Sequence, residues 1–243
     1  MQRISEISAI GAQRLAATAW CDIRLQWRNG FYLVTAIMLG CFVAFLAYVP
    51  LPNAAQLLPA LIIGNLLITT FYFVGALTLL ERGEGTLLAQ TVTPLRAGEY
   101  VAARVVSLTL LAIIENVAIA FAGVGVDLHL PLLLVGIALA AILFILAGFV
   151  VVARYATINE YLMPSMIYTT LLTLPLIPAL TGWRHPLFYL HPLQAPLTLL
   201  MAAFAPASAW QIVYGIGYSL FWVVCGGWAA LRAYRRHVIG VDS

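Results

Sequence analysis

The chain has 243 residues, 63% of them hydrophobic and only 9% charged, with a formal net charge of +3 and a mean hydropathy of +1.00. A soluble domain carries about a quarter charged residues, so this composition excludes that class and points to an all-α polytopic membrane protein. All 12 basic residues are Arg; they are spread along the chain without the aromatic-interleaved basic face that nucleic-acid binding requires, so no nucleic-acid partner is expected.

Residues 4–28 read as an amphipathic helix lying on a membrane surface. Ile4, Ile7, Leu15, Trp20, Ile23 and Trp27 form its apolar side, and Arg24 and Arg28 stand on another side near Asp22. Four Arg within the first 28 residues exclude a signal peptide there. The expected division is an N-terminal helical segment over 1–30 and a transmembrane domain over 31–243.

Phe31–Val49 is the first expected span, stopped by Pro50 and Pro52, and its Ala36, Gly40 and Ala44 form a small-residue stripe. Such a stripe admits a close neighbour, from the same chain or from a second subunit. Leu57–Leu80 is the second span, with Asn65, Thr69 and Thr70 as polar positions. The polar loop 81–104 follows, then spans at Val101–Gly123, Leu132–Ala153 and Tyr161–Leu180, the last pair joined by the link Arg154–Glu160. Residues 181–208 are apolar but broken by Pro186, Pro192, Pro196 and Pro206, which suits short helices dipping into the membrane rather than a crossing. Trp210–Leu231 is the sixth span, followed by Arg232, Arg235 and Arg236.

With six crossings, eleven Arg fall on the side of the termini and only Arg184 on the other. The positive-inside rule then makes both termini cytoplasmic. Cys21, Cys41 and Cys225 lie far apart without C-x-x-C spacing, and the four His are scattered, so no metal site is expected. A chain without Lys contains no G-x-x-x-x-G-K-[ST] loop, which excludes ATP hydrolysis by that route. Glu115 is the acidic residue placed deep in a span. At 1.5 Å per residue it lies roughly 20 Å from the start of its helix, level with Asn65. Either Glu115, Asn116 and Asn65 line a substrate path, or Glu115 locks helices together by hydrogen bonds.

The loop motif Glu81-Arg82-Gly83-Glu84-Gly85-Thr86-Leu87, with Thr93-Pro94-Leu95 and Glu99-Tyr100, resembles the E-R-x-x-G-T-L…T-P…E-Y pattern of ABC-2-type transporter permeases. Asp22 to Tyr32 and Pro186 to Pro192 look most similar to the fluoroquinolone-export branch. The resemblance implies the membrane subunit of an ATP-driven exporter in a bacterial plasma membrane, moving a hydrophobic or amphipathic molecule. It implies a cytoplasmic ATPase partner that carries ATP and Mg, a second permease chain, and no cofactor on this chain. Glu81, Arg82, Glu84, Gly85, Thr86, Leu87, Pro94 and Glu99 would form the main contact with the ATPase, and Arg154 and Glu160 a smaller one. Leu87, Leu88 and Val92 are expected to face water unless docked. The rival reading is a stand-alone secondary transporter or channel.

Overall fold

The computed structural model describes residues 2–49, 54–87, 96–183 and 185–237, with side chains from Gly11 onward apart from a few positions beside the gaps. Pro50, Pro52, Leu88, Val92, Pro94 and Arg184 lie outside the described residues, as do the side chains of Ile4 and Ile7. Among the described residues the chain is helical, with no strand.

The first helix, α1, covers Gln2–Arg28. Gly30, in the left-handed region at φ 76°, turns the chain into α2, Phe31–Tyr48. The second span is built from α3 (Ala54–Leu66), a π-turn over Leu67–Tyr72, and α4 (Phe73–Gly83). Then come α5 (Ala97–Val124) and α6 (Leu130–Val152). The expected fifth span is in two pieces, α7 (Ile158–Leu172) and α8 (Leu176–Thr181), separated by a turn at Thr173–Pro175. A 3-10 turn at Pro186–Leu190 and α9 (Gln194–Phe204) precede the long α10 (Ala209–His237).

Among the described residues, five helices are long and apolar enough to cross a membrane. The expected fifth span is not among them, because Pro175 has no N–H to continue the ladder and restricts Leu174 away from helix. The eleven-residue α9 is too short to span, as the four prolines of 181–208 led one to expect.

Helix α6 is central. In its most apolar window 72% of residues are buried, against 6% in α2 and 11% in α10. It is apolar all round, as a helix surrounded by others must be, and packs on α4, α5, α9 and α10. Gly148 lets it come close to the second span. A Cβ at Gly148 would lie 2.3 Å from Val74 Cγ1 and 3.0 Å from the Phe71 carbonyl. On the bundle's outside, Ala36, Gly40 and Ala44 of α2 are exposed, so the small-residue stripe meets no described neighbour in this chain.

The ring of Tyr234, near the end of α10, stacks on Tyr100, near the start of α5, with centroids 4.9 Å apart. Both ends of the described chain are thus at one end of the bundle, where α1 also packs on α5.

Candidate functional site

The α1 end of the bundle holds a buried ionic cluster. Its members are spaced for it: Asp22 and Gln26 are four apart on α1, Tyr100 and Arg104 four apart on α5, and Glu81 sits in the last turn of α4. Arg104 Nε lies 2.9 Å from Asp22 Oδ1, and its Nη2 donates to Glu81 Oε1 at 2.7 Å. The guanidinium is 1% exposed, and the carboxylates 6% and 7%. Buried charges hold together only when remaining lone pairs are also satisfied. Here the Tyr100 hydroxyl donates to Glu81. The Ser107 hydroxyl donates to Asp22, and the Gln26 amide donates to Asp22 at 2.9 Å. Arg104 also lies over the Tyr100 ring, 5.3 Å from its centroid, in a cation–π contact.

This cluster sets which residues of α1 face the bundle. Its inward face is Asp22 and Gln26, while Trp20 and Trp27 are 56% and 74% exposed. Arg24 and Arg28 are exposed together with the two Trp, and Arg24 lies over the Trp20 ring, 5.5 Å from its centroid.

It also corrects the picture of Glu81, Arg82 and Leu87 as groups presented outward. Glu81 is committed to Arg104 and Tyr100. The Arg82 guanidinium donates to the backbone carbonyls of Tyr155 and Ala153. Leu87 is 4% exposed, buried with Phe73, Tyr100 and Phe149 within its own chain. The driving force is local: a turn at Glu84 and Gly85 (φ 71°) folds the chain back over the end of α4. That left-handed conformation favours glycine. Thr86 Oγ1 then donates to the Glu81 carbonyl at 2.9 Å.

The other coupling candidates remain near the surface. Glu84 and Thr86 are exposed. Glu99 accepts from the Arg96 N–H at 3.0 Å and pairs with Arg14 at 3.7 Å, which ties α1 to the start of α5 a second time. Arg154 is exposed. Glu160 accepts from the Ala156 N–H at 3.1 Å, while the Thr157 hydroxyl accepts from the Glu160 N–H at 3.4 Å. Thr-x-x-Glu is a helix-start signature, and here it fixes how the 154–160 link enters α7. Through Arg82 this link and the 81–87 turn are joined.

A second polar group lies midway along the bundle. Asn65 Nδ2 donates to Asn116 Oδ1 at 3.2 Å, and Asn116 Nδ2 to the Ala112 carbonyl at 2.8 Å. Glu115 is 1% exposed. Asn65 and Thr69 face its carboxyl, but neither Glu115 oxygen has a partner in hydrogen-bonding geometry, nor has Asn65 Oδ1. The expected level of Asn65 with residues 115 and 116 is met. The π-turn beside it was not foreseen.

Among the described residues, cavities open at three places. One of about 190 Å³ lies between α1, the end of α4 and the start of α5, lined by Asp22, Glu81, Glu84, Tyr100 and Arg104. One of about 300 Å³ at the opposite end is lined by His185, Phe188, Gln194 and Gln211. An apolar one of about 320 Å³ is lined by Phe144, Tyr168, His191 and Trp222. Asn65, Glu115 and Asn116 line none of the three.

Residues 13–242 match the model of the fluoroquinolones export permease protein family. This chain belongs to that family. It is also 31% identical over 233 residues to the fluoroquinolones export permease proteins of Mycobacterium tuberculosis strains CDC 1551 and H37Rv, covering 93% of this chain and 97% of each relative. The fluoroquinolones export permease family is one of membrane export permeases, in keeping with the helical, apolar bundle. The matched stretch takes in most of α1 as well as the bundle, so the ionic cluster lies wholly inside it.

Within the family match, Asp22, Gln26, Tyr100, Ser107 and Tyr234 are the residues that reading the sequence missed. Their signals were the four-residue spacings Asp22–Gln26 and Tyr100–Arg104. Each was visible within its own helix, but nothing in the linear chain showed that the helices meet.

Proposed function

We propose that the chain is the membrane-spanning subunit of an ATP-binding cassette exporter, with both termini in the cytoplasm of a bacterium. A separate ATPase subunit carries ATP and Mg, and a second permease chain completes the path. The cargo is an amphipathic aromatic molecule of the fluoroquinolone class, as the names of the relatives suggest.

The observation that carries this reading is the joining of α1, the 81–87 turn, the start of α5 and the 154–160 link into one body. Asp22–Arg104–Glu81 and the Arg82 contacts make that joint. A push applied anywhere on such a body moves the ends of several spans together, which is what conversion of ATP-driven closure into alternating access needs. The contact with the ATPase is then made by the exposed Glu84, Thr86 and Arg154, with Glu81 and Arg82 holding them in place. The exposed stripe Ala36, Gly40 and Ala44 on α2 supports a second chain lying against that helix.

The test is fluoroquinolone efflux from cells producing the chain with the ATPase encoded beside it. Glu84→Arg with Arg154→Glu is expected to cut efflux and ATPase co-purification at least about ten-fold, roughly the loss of 1.4 kcal/mol of coupling, with the folded chain retained. Unchanged efflux with an ATPase unable to hydrolyse ATP would overturn the reading. A stand-alone carrier driven by a proton gradient, which the partnerless Glu115 carboxyl favours, predicts that second outcome.

A further inference from the structure

The second span is the only described span interrupted inside by a π-turn, at Leu67–Tyr72. A π-turn carries one residue more than the α-helix on either side, so its loss turns one flank against the other by about 100° and shifts it by about 1.5 Å. The two flanks here are anchored differently. The α4 flank ends in Glu81, which Arg104 and Tyr100 hold. The α3 flank packs on α5, α8 and α9, away from the ionic cluster.

The surroundings of the turn are shaped to admit it. Gly148 faces it, and a Cβ there would press on Val74 and on the Phe71 carbonyl. The hydroxyls of Thr69 and Thr70 donate to the carbonyls of Asn65 and Leu66, at the point where the ladder changes register. One turn away, Asn65 bridges to Asn116 across the Glu115 level. Three acceptors in that spot, Glu115 Oε1 and Oε2 and Asn65 Oδ1, are buried and not met in full hydrogen-bonding geometry, although Asn65 and Thr69 stand beside the carboxyl. Buried polar atoms in native proteins almost always find partners, so this arrangement is incomplete as it stands.

We propose that the π-turn is a joint between two helical registers, and that the Asn65–Asn116 bridge is the latch it opens. In the π register the latch is closed and Glu115 is sealed. In the α register α3 rotates, Asn65 leaves Asn116, and the Glu115 carboxyl faces the path, where an ammonium or other N–H donor of the cargo completes it. The cargo half of this inference rests on the export reading; the joint itself does not.

The experiment uses the full chain in lipid nanodiscs, with Cys21, Cys41 and Cys225 replaced by Ala. Spin labels are placed on Gln56→Cys in α3 and Val126→Cys beyond α5, both exposed positions. Pulsed dipolar spectroscopy is expected to give two distance populations. Deleting Ile68, which removes the extra residue, should merge them into one. Thr69→Val with Thr70→Val, which leaves the chain length intact, should raise the α-register population by about three-fold, and so should adding a fluoroquinolone. A distribution identical in the parent, the deletion and the double-Val chain overturns the joint. If the deletion does not fold, the double-Val chain alone decides. Two populations that the variants shift but a fluoroquinolone leaves unmoved uphold the joint and overturn the cargo half.

Discussion

Two buried polar groups among the described residues differ in how far their carboxylates are met. Around Arg104, each of the four oxygens of two carboxylates is met by a guanidinium, a hydroxyl or an amide, while Arg104 Nη1 and Gln26 Oε1 make no hydrogen bond. Around Glu115, a carboxyl just as deeply buried has neither oxygen met in full hydrogen-bonding geometry, although Asn65 and Thr69 stand beside it. A buried network rigidifies as its hydrogen bonds are completed, and a buried group left unmet calls for a reason of its own. The difference separates a clamp, which keeps α1, α4 and α5 as one body, from a site made to change.

Breaking the clamp gives the largest expected effect. Arg104→Leu leaves two carboxylates buried without a counter-charge, which costs about 3–5 kcal/mol. The full chain in detergent should then unfold at a markedly lower temperature or fail to accumulate. Arg104→Lys keeps the charge but loses the planar fork, and should fall between the two. If Arg104→Leu unfolds at the parent temperature, the cluster is not a clamp.

The same operation at the other site should do little. Glu115→Gln removes a charge from a group whose oxygens are not met in full hydrogen-bonding geometry, so the thermal transition should move by less than about 1 kcal/mol in stability, and fluoroquinolone efflux should fall. A large stability loss with efflux per folded chain intact would show Glu115 to be a second lock between helices, and the contrast would vanish.

The smallest effect sharpens the comparison from outside both sites. His191 Nδ1 accepts from the Leu193 N–H at 3.2 Å, which leaves Nε2 to donate to the Leu171 carbonyl at 3.0 Å. Burial holds the ring below the usual imidazole range, against the opposing pull of that carbonyl. The unfolded chain therefore takes up a proton first as pH falls. His191 contributes fully above about pH 6.5 and loses that contribution as pH drops toward its lowered folded value. The unfolding temperature should fall over that window, and His191→Gln should flatten the dependence. A slope unchanged in His191→Gln would place the titrating group elsewhere.

Much of the fold was legible because a membrane span announces itself by length and apolarity. Phe31–Val49, Val101–Gly123, Leu132–Ala153 and Trp210–Leu231 each correspond to one helix within a few residues. Proline placed the breaks in 181–208, since a missing N–H acts wherever it occurs, whereas Tyr161–Leu180 read as one span and is broken at Pro175. The level shared by Asn65 and Asn116 followed from helix rise alone.

What the sequence could not settle was which way polar side chains face. In water, Glu81, Arg82 and Leu87 in a polar loop would divide into outward charges and an inward Leu. Here Glu81 and Leu87 are both inside, because α1 brings Asp22, and α5 brings Arg104 and Tyr100, to the same end of the bundle. The π-turn at Leu67–Tyr72 likewise left no mark in an apolar run; it exists where Gly148 leaves room for it and two Thr hydroxyls hold the carbonyls nearby. Hydrophobicity is a property each segment carries alone, so the chain fixed its spans by itself. A charge becomes buried or exposed only by what another helix sets against it, and that was decided by tertiary packing.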